Sequence, residues 1–212
     1  MTQINSPYYQ TLYESNRLIT LLESYADRCL FARDALARHR MLHNQLDAHR
    51  VRSEHALAAW RAALSHRWQC EIEGQRLYNH ILEHARLSFG TESAEVKALV
   101  HSRIGTQAGS AEDLLDDMRR MHAALLLMQP SSPVLLEHIA QLAVACTRLE
   151  QALDATHRRE TERRNATLER RLTYDACERA FAETMLMLVE HLGIPSLTET
   201  LDYDEADALV FA

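Results

Sequence analysis

Residues 69–84, QCEIEGQRLYNHILEH, hold one cysteine, three glutamates and two histidines, which are the residue types that coordinate metal ions. His80 and His84 are four residues apart, so both can reach one ion from a helix, and His66 and Cys70 have the same spacing. On a helix these residues share one row with their neighbours. The row consists of His66, Cys70, Glu73, Leu77, His80 and His84.

The apolar residues of the same segment predict how this row is oriented. At 100° per residue, the row lies roughly opposite Leu64, Trp68 and Leu82, which are expected to face the core. The row is therefore expected to face water or a partner. Since two ligands on an open surface bind metal weakly, the sequence assigns no metal ligand, and metal binding through His80 and His84 stays an alternative.

His39 and His43 form a second pair, and they continue an apolar seam instead of opposing it. Metal binding is one alternative for this pair. The other is hydrogen bonding near the turn of the helical hairpin, where Ser53 and His55 are expected to lie close. Since histidine titrates near neutral pH, a pH-sensitive bundle end is a further alternative.

Catalytic motifs are absent from the sequence. It contains no GxxxxGK[ST], GxGxxG, HExxH or GxSxG, and no Glu-x-x-His of a di-iron bundle; Asp154 to His157 is the nearest approach. Glu71 and Glu178 are expected near inner helix faces, paired with arginine or partly hydrated. No catalytic or cofactor-binding residue is assigned, no cofactor is expected, and we predict that the protein is not an enzyme.

Two charged segments offer interaction surfaces. Arg158 to Arg171 contains six arginines and three glutamates, but the interleaved glutamates favour intrahelical ion pairs over nucleic-acid binding, which stays a weaker alternative. The acidic tail at about 194–212, with its apolar end, is the segment most suited to bind a protein or a second copy of the chain.

Composition predicts an all-α fold. Only 5 glycines and 4 prolines occur in 212 residues rich in good helix formers. The net charge of −7 does not indicate a general nucleic-acid binder. The four separated cysteines are expected to be free thiols, and without an apolar span or a signal peptide we expect a cytoplasmic protein that does not enter the membrane.

Proline and glycine divide the chain into two long helical segments of one domain, 1–212. The expectation is an elongated antiparallel four-helix bundle built from two hairpins. Hairpin I spans about 9–89, with helices at about 9–46 and 51–88 that turn near LDAHR. A connecting segment at about 90–132 includes a shorter helix capped by Ser110, and hairpin II spans about 133–193.

An internal repeat is an open alternative to chance similarity between amphipathic helices. Cys70-Glu71 and Glu83-His84 are matched by Cys177-Glu178 and Glu190-His191, and Gly90 is matched by Gly193. The sequence as a whole favours a non-catalytic structural or protein-interaction bundle, with the metal-binding protein as the alternative.

Overall fold

The computed structural model describes residues 7–101, 109–128 and 133–194, and the all-α prediction is confirmed over this part of the chain. No described helix is long and apolar enough to cross a membrane. The described part contains five α-helices. They are α1 (Pro7–Tyr25), α2 (Leu30–Phe89), α3 (Ala94–His101), α4 (Ala111–Met128) and α5 (Pro133–Leu192).

Local capping signals determine where several helices begin and end. Gly90 and Gly193 follow α2 and α5 with φ angles of 87° and 69°, the left-handed conformation that ends helices. Ser110 caps α4 as predicted: its hydroxyl accepts the Asp113 amide at 3.2 Å, and the Asp113 carboxylate accepts the Ser110 amide at 2.8 Å.

The predicted turns are wrong, because α2 and α5 are each continuous over 60 residues. Helix α2 passes through Leu46–Arg50 without a break, and the segment of hairpin II contains no turn. The chain reverses instead after Tyr25, whose carbonyl accepts the amides of Arg28 and Cys29 at 3.0 and 2.9 Å. Hairpin I is therefore made of α1 and α2.

The described helices form two compact units, and α2 and α5 contribute to both. The described residues of the first unit are 7–56 and 163–194, and they contain α1, the first part of α2 and the last part of α5. Its helices α2 and α5 are antiparallel, as shown by the Arg38–Glu183 and Arg52–Glu169 ion pairs of 2.7 and 2.8 Å. Its buried core contains Leu18, Leu22, Ala32, Leu36 and Leu188.

Polar contacts cross the first unit between its helices. His39 Nε2 lies 2.8 Å from Thr184 Oγ1, and His49 Nδ1 lies 2.8 Å from Thr173 Oγ1. Helix α1 joins this network where the Thr11 hydroxyl donates to Glu178 Oε1 at 2.8 Å. These contacts satisfy polar groups that packing would otherwise leave without a partner.

The second unit comprises residues 57–162, and contains the last part of α2, α3, α4 and the first part of α5. Helix α4 approaches α2 closely at the buried Gly74, where an added Cβ would lie 2.8 Å from the Met118 sulfur. The apolar core is formed by four helices. It includes Tyr78, Ile81, Ala85, Leu99, Met118, Met121, Leu125, Leu142 and Leu149.

The predicted orientation of the second half of α2 is correct except at two residues. Leu82 is buried, and His66, Glu73 and His80 are exposed, as predicted. Trp68, however, is 62% exposed, whereas Cys70 is buried at 7% exposure. Cys70 belongs to the core, and Leu77 packs against it.

We expect the stability of the first unit to fall in acid because of His39. Burial and the Arg38 charge lower the pKa of His39 below its ordinary value of 6.5. The unfolded chain thus protonates His39 more readily than the folded protein does. The contribution of His39 is complete above pH 6.5 and is lost as the pH falls through that value towards the folded pKa.

Urea unfolding in a chelator at pH 7.5 and pH 5 measures this loss. The double variant His39→Leu/Thr184→Ile should lose less stability between the two pH values than the unmodified protein. His55→Leu, which removes an exposed histidine from the same helix, is the control and should leave the pH dependence unchanged. An unchanged pH dependence in the double variant would contradict the assignment.

Candidate metal centre

Three histidines from two helices meet in the second unit. His80 and His84 come from α2, and His138 comes from α5. On α2 the pair alternates with core residues, since Ile81 and Ala85 are both 0% exposed. His138 lies on the face of α5 that carries other fully buried side chains, notably Leu135 and Leu142. Packing of the two helices thus holds the three rings together.

The geometry of the three rings is close to that of a metal centre. The ring centroids are separated by 4.6 Å for His80 and His84, and by 5.1 Å from each of these to His138. With Zn–N distances of about 2.0–2.1 Å, a tetrahedral ion places the ring centres of its imidazole ligands about 5 Å apart. The spacing of the rings is therefore already suitable.

One nitrogen of each ring lies within 4.8 Å of the other two. On a tetrahedral zinc ion these nitrogens would be about 3.4 Å apart. His80 is exposed and His84 half-buried, so their rings have room to adjust to that separation. The arrangement of the three histidines is therefore compatible with a metal ion.

A hydrogen-bond chain orients His138. Its Nδ1 lies 3.2 Å from Gln141 Oε1, and because an amide oxygen only accepts, Nδ1 carries the proton and donates it. The Gln141 amide nitrogen donates in turn to Glu137 Oε1 at 3.0 Å. In the neutral ring, Nε2 is therefore unprotonated and has the lone pair that a metal ligand needs.

The Nε2 atom of His138 is buried and has no hydrogen-bond partner among the residues that the structure describes. Buried polar side-chain atoms normally have a partner, so an unpaired nitrogen beside two other imidazoles requires an explanation. A bound cation supplies one. The residues present thus fit a metal ion by spacing, by tautomer and by the unpaired nitrogen.

Sequence reasoning identified two of these three histidines and missed His138. The sequence feature that marks His138 is its place on the apolar face of α5, three residues after Leu135 and four before Leu142. The sequence does not show that this face packs against α2, so it does not connect His138 with the two histidines of α2. No metal ligand was assigned from sequence because the third ligand was missing.

The structure places the other histidine pair differently. His39 is bonded to Thr184, and His43 Nδ1 lies 3.3 Å from Ser15 Oγ, so each histidine has its own hydroxyl partner. Within the described ranges, neither residue belongs to the candidate metal cluster. Their contacts support the hydrogen-bonding alternative, but α2 is continuous where the neighbouring hairpin turn was expected.

The remaining candidate residues are distributed over both units. Cys70 Sγ lies 3.9 Å from His66 Nε2, and burial raises the pKa of the Cys70 thiol. Glu71 pairs with Arg67 at 2.8 Å, as expected for a carboxylate near an inner face. All four cysteines are free, as predicted.

The arginine run has intrahelical contacts of the kind predicted. Arg159 pairs with Glu162 at 2.7 Å, and the Arg158 side chain donates to the Asp154 carbonyl at 3.4 Å. Arg170 lies over the Tyr8 ring at 4.1 Å. The acidic tail falls outside the described residues from position 195 onwards.

No protein-family model, curated protein or solved structure shows a significant match to this chain. The site's own geometry therefore carries the functional argument.

Gln141 should control metal affinity without contacting the ion. We expect Gln141→Leu to weaken zinc binding about 10- to 100-fold, because His138 loses the acceptor that fixes its tautomer and ring orientation. Competition with a chromogenic chelator measures the change. Gln151→Leu, an exposed glutamine on the same helix, is the control. Equal affinities of the two variants would show that the hydrogen bond has no role in binding.

Proposed function

We propose that this protein is a metal-binding helical bundle in which one divalent transition-metal ion joins α2 to α5 through His80, His84 and His138. The observation that carries the proposal is the buried Nε2 of His138, which has no partner within residues 7–101, 109–128 and 133–194 and lies beside two imidazoles at metal-site spacing. A set of three imidazole ligands suits zinc, copper, nickel and cobalt, and does not suit calcium or magnesium.

A metal ion at this position would stabilise the second unit. An ion that binds only the folded chain adds about 2.7 kcal/mol at a free concentration 100-fold above its dissociation constant. His138 is attached to α5 and the other two ligands to α2, so unfolding of either segment would destroy the site. Metal binding and folding of this unit are therefore expected to be coupled.

Metal analysis of the purified protein tests the proposal. We expect one zinc or cobalt ion per chain, and a higher thermal midpoint in its presence. His138→Ala and His84→Ala should each lose the stoichiometric ion and the thermal shift. His55→Ala, which changes an exposed histidine of the same helix, should retain both. Stoichiometric binding that survives His138→Ala would sink the proposed site.

We also propose that the chain arose by duplication of a short helix followed by a long one. Helices α1 and α4 contain 19 and 18 residues, and each precedes a helix of 60 residues that ends at a glycine with positive φ. The register that pairs Gly90 with Gly193 supports the proposal. It pairs buried residues with buried residues: Ala32 with Leu135, Leu46 with Leu149, Ser53 with Thr156, and Cys70 with Thr173 in place of the Cys70–Cys177 match made from sequence.

This register gives the metal site a counterpart in the first unit. The counterparts of His138, His80, His84 and Gln141 are Ala35, Glu183, Met187 and Arg38. All four counterparts line one cavity of about 630 Å³. There, the Arg38–Glu183 ion pair joins α2 to α5 at 2.7 Å. Under the proposal, the two copies diverged, and one retained or acquired metal ligands.

Transfer of the site tests the duplication. The variant Ala35→His/Arg38→Gln/Glu183→His/Met187→His places the three ligands and the orienting glutamine in the first unit. If the units are equivalent, it should bind a second metal ion per chain. The same variant with Met187 retained is the control and should bind the second ion at least 10-fold more weakly. A folded variant that still binds one ion would contradict the equivalence.

The structural or interaction role that composition favours stays a prediction. Large exposed side chains support it, since Leu87 and Leu127 of the second unit are 83% and 86% exposed. Such side chains mark binding surfaces when they are contiguous. This role is compatible with a metal ion that stabilises the bundle. The absence of catalytic activity likewise stays a prediction.

A further inference from the structure

The proposed metal centre is incomplete as a coordination sphere. The described cluster consists of three histidines, whereas a tetrahedral ion takes four ligands. Neutral imidazoles also leave the charge of a divalent ion uncompensated. A fourth ligand that carries negative charge would satisfy both needs, and hydroxide or a carboxylate can do so.

A groove between α2 and α5 lies near the candidate metal centre. It has a volume of about 450 Å³, within the range of small-molecule sites. Gln141, which accepts the hydrogen bond from His138 Nδ1, is part of one wall. Leu77, one helical turn before His80, is part of the opposite wall. The described walls include none of the three histidines, so Gln141 and Leu77 connect the groove to the centre.

The walls of the groove are apolar over most of their length. The side chains on α5 span residues 140–148, a distance of about 12 Å at 1.5 Å per residue. Charge is confined to Glu73 and Arg148, which oppose each other in sign. Apolar wall residues are Leu77, Ala140, Val144 and Ala145.

We propose that the site binds a small monocarboxylate with an unbranched aliphatic tail. The carboxylate occupies the fourth position of the metal ion, and the tail lies in the groove along Leu77 and Val144. The charge of the ion selects an anionic head, and the apolar walls select the tail. This inference rests on the proposed metal-binding function, because the ion holds the head group.

Cobalt(II) provides the probe, since its visible spectrum changes when its ligands change. The full-length protein is loaded with one cobalt ion and titrated with acetate, butanoate and octanoate below micellar concentrations. Each anion should alter the spectrum. Affinity should rise about fourfold per buried methylene, so octanoate, with six more methylenes than acetate, should bind on the order of 4,000-fold more tightly when all six are buried.

Two variants of equal exposure separate the groove from the metal ion. Val144 and Val189 are 51% and 49% exposed on α5, and only Val144 lies in the groove wall. Val144→Glu should abolish the preference for octanoate and keep cobalt and acetate binding. Val189→Glu should retain the full preference. Ala140→Glu is a second groove variant with the same expected result.

The outcomes distinguish this inference from the proposed function. A chain that binds no cobalt overturns both. A cobalt protein whose spectrum ignores every carboxylate keeps the metal site and overturns the open fourth position. Equal affinities for acetate and octanoate overturn the role of the groove. Octanoate binding that is equally tight without metal shows that the head group is held elsewhere, which also overturns the inference.

Discussion

The pairing of α2 with α5 is the interaction on which both units depend. Each unit places polar groups between these two helices, and burial makes an unpaired polar group costly. In the first unit His39 meets Thr184 and His49 meets Thr173, so the hydrogen bonds close within the pair of helices. In the second unit the Thr156 hydroxyl contacts the Ala63 carbonyl of α2 at 3.4 Å as well as the Ala152 carbonyl of its own helix at 2.8 Å, whereas His138 Nε2 has no partner in the described part of the chain. That nitrogen is what distinguishes the second unit.

Helices α2 and α5 each keep one buried seam while their packing partners change. Packing supplies most of the stability of a helix of 60 residues. Helix α2 packs with α1 in the first unit and with α4 in the second, yet Leu36 and Tyr78, like His39 and Ile81, occupy the same positions of its seven-residue repeat. The apolar face assigned to α2 from sequence departed from this repeat at Trp68, which is therefore exposed.

The features that could be predicted from sequence were those that depend on neighbouring residues. Ser110, Gly90 and Gly193 mark helix ends because capping involves only neighbouring residues. The reversal after Tyr25 has no glycine or proline to mark it, and the predicted turn near Leu46–Arg50 rested on helix length alone. The same holds for the candidate site. The spacing of His80 and His84 on one helix identified them from sequence, whereas His138 lies beside them only because of tertiary packing.

The two units solve the same packing problem with different chemistry. In the first unit the Arg38–Glu183 pair is exposed at both ends, with side chains 50% and 60% accessible, and such pairs contribute about 0–1 kcal/mol. Because both side chains are hydrated, this ion pair leaves no buried polar group without a partner. His138 is instead 6% exposed, and Gln141 occupies its Nδ1, so its Nε2 must be satisfied from the side of the α2 histidines. A neighbouring imidazole could pair with it by one hydrogen bond, but the rings are held at about the spacing that an ion requires. The proposed cation would satisfy all three nitrogens at once, and the hydrogen-bond chain through Gln141 and Glu137 would orient His138 for it.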